Sequence, residues 1–96
     1  MKKPGINSQL GKLRNVGPAT LHDLRLLKIN SLEQLAKSDP DELYIRLCKI
    51  TAKRHDPCVW DTFAAIIHQA KTGEALPWWR WTPVRKARQA EGTFLC

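Results

Sequence analysis

Three stretches of the chain carry groups that could do chemistry. The first is Leu13-Arg14-Asn15-Val16-Gly17-Pro18-Ala19-Thr20, an apolar residue running into a tight turn that opens directly onto a helix. Asn15 tolerates the left-handed backbone such a turn needs, and Gly17 is expected to adopt it at little cost. Pro18 suits the first helical position, where a missing N–H loses nothing. The N–H groups of Ala19 and Thr20 then have no partner within the helix and lie at its positive end, which favours an anion such as a phosphate. Backbone at Asn15, Val16 and Gly17 would line that site. The Thr20 hydroxyl could add a bond, and Lys12, Arg14 and Lys28 could screen neighbouring phosphates. Contacts of this kind read a nucleic-acid backbone and not its sequence. The same turn also serves as a plain packing corner between helices, so both readings stand.

The second stretch is Trp78-Trp79-Arg80-Trp81. These rings could stack on the bases of a single strand, cover the core, or dock a protein partner. Adjacent Trp78 and Trp79 cannot easily face the same way, so one or two of the three rings are expected to be buried and one exposed. The third group is Cys48, His55 and Cys58, within eleven residues. A structural zinc wants four ligands, usually with a Cys-x-x-Cys pair, and only His55-x-x-Cys58 has short spacing here. No metal is expected, and the cysteines read as small buried residues. An exposed Cys58 at a helix start would have a lowered thiol pKa. No Ser/His/Asp or Cys/His set shares a spacing, and capping accounts for the acids Asp39, Asp41 and Glu42. The residues therefore predict no catalytic site, no cofactor and no small-molecule substrate.

The elements that must hold these groups are short helices. Ser8 could cap a first helix through Leu13, weakened by Gly11. A second runs from Pro18 to Leu27 with Leu21, Leu24 and Leu27 on one face. Ser31-Leu32-Glu33-Gln34 is a capping box, with Leu32 and Leu35 facing inward. Asp39-Pro40 starts a helix striped by Leu43, Leu47 and Ile50, with Tyr44 beside them. Asp56-Pro57 starts the most apolar helix, with Val59, Phe63, Ile66, Ile67 and Ala70 at helical spacing and Gly73 as its stop. Residues 75–81 read as extended or irregular. Thr82-Pro83 caps a last, very basic helix from Val84 to Gln89. Nothing alternates like a strand, which makes the chain all-α with five or six short helices.

Ninety-six residues make one domain, read here as 8–90 between a flexible arm at 1–7 and a tail at 91–96 that frays from Gly92 on. No apolar run approaches the roughly 20 residues of a membrane span. Met1-Lys2-Lys3 leads into no apolar signal segment, and three cysteines make a poor disulfide framework, so a reduced cytoplasmic protein with no membrane contact is expected. The net charge of +7 is uneven: residues 1–30 hold six Lys/Arg against Asp23 alone. That excess surrounds the first stretch, where a polyanion would be met.

The pattern apolar-x-x-Gly-x-Gly-Pro followed by a helix marks a helix-hairpin-helix motif, and residues 13–20 resemble it with Asn15 at the first glycine and Gly17 at the second. Taken with Leu43-Tyr44-Ile45-Arg46-Leu47-Cys48, Asp56-Pro57-Cys58-Val59 and Trp78-Trp79-Arg80-Trp81-Thr82, the chain from residue 8 to about 88 resembles the small bacterial pathogenicity-locus family. Its members are often labelled mitomycin-resistance or helix-hairpin-helix proteins. The first half is also similar to the C-terminal domain of competence regulators of the TfoX type. The resemblance implies a SAM-like helical domain and a hairpin whose backbone N–H groups hold one phosphate of a nucleic acid, DNA before all. Two positions depart from the motif. Ala19 stands where DNA-gripping relatives often carry Lys or Arg, and Lys28 stands where the turn after the second helix often has Gly. The resulting expectation is a non-catalytic DNA-binding module, accessory to repair or stress resistance. The alternative is a protein-interaction module that docks through the tryptophan segment and the last helix.

Overall fold

The computed structural model describes residues 10–94. A helical turn at residues 10–11 leads into α1 (Pro18–Leu26), α2 (Leu32–Ala36), α3 (Pro40–Thr51), α4 (Cys58–Thr72), a single 3-10 turn (Trp78–Arg80) and α5 (Thr82–Glu91). The protein is all-α, with no strand among the described residues. Helix starts at Pro18, Leu32 and Pro40 fall where the caps predict, and α4 and α5 begin one residue away from Pro57 and Pro83. The expected first helix from Ser8 begins outside the described residues. It ends at Gly11 rather than Leu13, because residues 12–15 already turn.

The caps show why these boundaries hold. The Gln34 N–H donates to Ser31 Oγ at 3.1 Å, while the Gln34 side chain accepts from the Asn30 N–H at 2.6 Å, one residue before the cap. The Glu42 N–H donates to Asp39 Oδ2 at 3.1 Å. Asp56 reaches over Pro57 to accept from the Cys58 N–H at 3.0 Å. At the C-terminal ends, Gly73 takes φ 82° and Gly92 φ 77°, but Ala52 takes φ 56° and Lys28 φ 62°. A left-handed non-glycine costs roughly 1 kcal/mol or more. Lys28 is held there because the next N–H, of Ile29, donates to Leu24 O at 2.9 Å, closing the helix end. Arg46 of α3 adds a bond to Leu27 O at 3.0 Å.

α4 is the axis of the core, contacting α2, α3, α5 and the 3-10 turn. Phe63, Ile66 and Ile67 are buried among Leu24, Leu27, Leu43 and Leu47, as the helical spacing predicts. Leu10, Ile29, Leu35, Tyr44 and Trp60 complete the cluster. Ile50, read as part of the inner stripe, is exposed, because the last turn of α3 runs past the edge of the core. Tyr44 lies inside instead, its hydroxyl donating to His55 O.

α5 closes the molecule through charge. Asp61 of α4 is 0% exposed. Arg85 grips it with two nitrogens, at 3.1 and 2.9 Å, and Thr82 adds a hydroxyl donor at 2.8 Å. Thr82 is thus a ligand of this carboxylate and not the helix cap the sequence suggests. One turn on, Arg88 makes a second two-pronged pair with Asp41 at 2.9 and 3.2 Å, and the Trp60 indole N–H donates to the same carboxylate at 2.8 Å. The two arginines of the basic helix are therefore turned onto the fold, while Lys86 stays exposed. In the tail, Thr93 donates its N–H to Arg88 O at 2.9 Å, and Phe94 packs on Tyr44 and Trp60. The arm at 1–7 and residues 95–96 lie outside the described residues.

Phe63→Ala should lower stability by about 3–5 kcal/mol, a large share of what so small a domain holds; an unchanged melting temperature would show that Phe63 is not in the core. Acid should unfold the protein by a route through Asp41. The Arg88 hydrogen bonds hold that carboxyl below its ordinary 3.8, against burial, with help from the Trp60 N–H. A carboxyl whose folded pKa is depressed lends stability above its ordinary value and loses it as pH falls through the folded one. Melting temperature should therefore hold down to about pH 5 and fall below about pH 4, and Arg88→Met should be less stable at neutral pH with a shallower acid slope.

Candidate nucleic-acid interface

The corner between the first helical turn and α1 is built from residues 12–17. Bonds from the Leu13 N–H to Leu10 O at 3.2 Å and from the Val16 N–H to Leu13 O at 3.3 Å fold it back. Asn15 supplies the left-handed residue, with φ 74°. Gly17 does not share that role: its φ of −106° and ψ of −173° are extended. An N-cap residue takes the extended region as the chain enters a helix, so the left-handed step falls before it. A Cβ at Gly17 would meet nothing within 4 Å. The fold therefore does not require glycine there, and what its absent side chain leaves is open surface.

The helix start behind Gly17 is uncapped. No side chain accepts from the first N–H groups of α1, whereas Ser31 and Asp39 cap α2 and α3. Gly17, Pro18 and Ala19 are exposed and Thr20 is half-buried. A shallow groove lies beside them, lined by Gly11, Val16, Gly17, Pro18, Leu21 and Arg25. Lys12 and Arg14 flank the corner, both exposed. Val16 is half-buried against the core and offers only backbone. Lys28 is not brought to the corner. It stands just beyond the far end of α1, about 16 Å from Gly17 by the ordinary rise of a helix. Arg25, on the groove face of α1, is the cation the sequence reading missed; the spacing Pro18, Leu21, Arg25 was its signal.

The corner is also tied to the tryptophan segment, which sequence spacing could not show. The Asn15 side chain bridges it twice, donating to Leu76 O at 2.9 Å and accepting from the Trp78 N–H at 3.1 Å. The Arg14 N–H donates to Gln69 Oε1 of α4 at 2.9 Å, and its guanidinium to Ala75 O at 3.3 Å. Of the three rings of this segment none is fully buried: Trp78 and Trp81 are half-buried and Trp79 is 56% exposed. Trp81 packs on the core and against His68, with ring centres 5.4 Å apart. The fully covered tryptophan is Trp60, whose burial supplies what the segment was expected to give.

The other candidates separate. Cys48 and Cys58 are free and half-buried. Burial, and then the hydrogen bond and charge of Asp56, push the Cys58 thiol up. Among the described residues no three His, Cys, Asp or Glu side chains gather as a metal site would need, and no helix is long and apolar enough to cross a membrane.

The model of the family described as Pathogenicity locus matches residues 5–87. The chain belongs to that family. Among curated proteins, the pathogenicity-locus chain is 39% identical over 79 residues to a mitomycin resistance protein, McrB, of Streptomyces lavendulae, a match covering 82% of this chain and 75% of that one. Neither match bears on the likeness of the first half to the competence regulators. No solved structure matches the chain. The matched range takes in the corner, the uncapped start of α1 and the tryptophan segment together.

Asn15→Gly should keep the turn, since glycine accepts a positive φ, but cut both bridges. Amide exchange of Trp78 should then speed up with little change in the exchange of α4. Unaltered exchange at Trp78 would show that the bridge does not hold the segment.

Proposed function

We propose that this pathogenicity-locus protein is a non-catalytic helix-hairpin-helix module that holds nucleic acid, DNA in the first place, by its phosphate backbone and without sequence preference. It would work in the cytoplasm as an accessory to repair, stress resistance or uptake. The observation that carries this reading is the open start of α1. Gly17 is an exposed N-cap with free space where a side chain would be, no side chain closes the helix end, Arg25 lines the groove beside it, and Lys12 and Arg14 are exposed in the corner that leads into it. Backbone donors at a helix start, a positive dipole end and nearby cations suit a phosphate oxygen. The relative named for mitomycin resistance agrees with a role in resistance. The absence of a basic residue at Ala19 makes the expected grip modest.

A second reading is favoured by one observation, the large exposed area of Trp79. On that reading Trp79 docks a protein partner and the corner merely holds the segment in place.

Binding to duplex DNA over a salt series separates the two. Affinity should be on the order of 10⁻⁴–10⁻⁶ M at physiological salt and fall steeply as salt rises, with scrambled sequences equivalent. Gly17→Val should fold normally, because its extended backbone suits a β-branched residue, yet bind far less. Lys12→Ala should reduce the salt slope by about one, and Ala19→Lys should tighten binding. Absence of salt-dependent binding even at low ionic strength would sink the nucleic-acid reading.

A further inference from the structure

We infer that the nucleic acid suited to this surface is single-stranded, with its backbone along the corner and an unpaired base on the Trp79 ring. The inference rests on the nucleic-acid reading above and adds the strand type. It is carried by the aromatic face rather than by the helix end. Trp79 leaves 56% of its surface in water, whereas the other large aromatic rings are buried or half-buried. The segment that carries it is nonetheless held by its backbone. Trp78 braces it edge-on, with ring centres 5.8 Å apart at 81°. The backbone on either side is locked by bonds from the Arg80 N–H to Pro77 O and from the Trp81 N–H to Trp78 O, both 3.1 Å. The two Asn15 bridges then hold this segment against the corner.

An exposed ring that is already held in place loses little freedom on binding, which is the condition for useful affinity from a single contact. Its surroundings decide the occupant. Arg80 is exposed beside it, and the Arg14 guanidinium lies on the same segment at Ala75. A partner that meets cations and an aromatic face at once should carry negative charge and flat π-surfaces at close intervals. A single strand offers both, since successive bases stack on aromatic side chains while phosphates meet basic groups. A duplex offers only its phosphates, because its bases face one another inside the stack and must be flipped out at a cost to reach a ring.

The experiment compares a short labelled oligothymidylate with a duplex of equal length, at low and at physiological salt. Wild type should prefer the single strand. Trp79→Ala should lose single-strand affinity on the order of tenfold, a larger loss than for duplex, and Trp79→Phe should restore it. Oligothymidylate should quench tryptophan emission in wild type, and much of that quenching should vanish in Trp79→Phe although binding persists. Gly17→Val should weaken both ligands alike. Equal or tighter binding of duplex, or an unaffected single-strand affinity in Trp79→Ala, would overturn the inference and leave backbone binding standing. Failure of both ligands to bind at low salt would overturn the two together.

Discussion

One carboxylate sets the architecture of the second half. Asp61 lies in the first turn of the most apolar helix with no access to water. A charge removed from water this completely is tolerable only when opposite charge and hydrogen bonds surround it. The partners come from Thr82 and Arg85, so the last helix must return across α4 rather than extend into solvent. Once Arg85 is anchored, Arg88 falls one turn further along the same face. There it meets Asp41, lies over the Trp60 ring at 5.7 Å and holds Thr93 O. Phe94 is drawn onto the core by that sequence of contacts.

This arrangement redistributes charge. Two of the arginines that make the last helix basic are spent inside the molecule, on acids of α3 and α4. Among the described residues, Lys12 and Arg14 at the corner before α1, Arg25 on α1 and Arg80 beside Trp79 form no ion pair with an acid. The corner and the tryptophan segment, about sixty residues apart in the chain, are tied together because a single amide side chain can donate and accept at once. Glycine at position 15 would make the same turn without that link.

Much of the fold was legible. Ser31, Asp39 and the residue pairs with proline mark helix starts through local hydrogen bonds and the fixed φ of proline, so starts were readable to within a residue or two, while helix ends were less so. The spacing of Phe63, Ile66 and Ile67 marks a buried helix face for the same reason, since a helical period is a property of neighbouring residues. The corner was legible as a turn. Its inner assignment was not: left-handed backbone at Asn15 and extended backbone at Gly17 follow from where the helix begins, which a glycine's permissiveness leaves open.

By itself, then, the sequence determined what depends on near neighbours: helix starts, helix faces, the turn at residues 13–18 and membership of the pathogenicity-locus family. Tertiary structure decided what depends on distant partners. It turned Thr82 from a cap into a ligand of Asp61, folded Arg85 and Arg88 inward, sent Ile50 out and Tyr44 in, left Lys28 a helix length from the corner, and clipped Trp78 to Asn15. Apart from Ile50 and Lys28, each of these is a pairing of charge or hydrogen bonds between distant segments. Such pairings are chosen by the energy of burying polar groups in the packed chain, and no local period in the sequence encodes them.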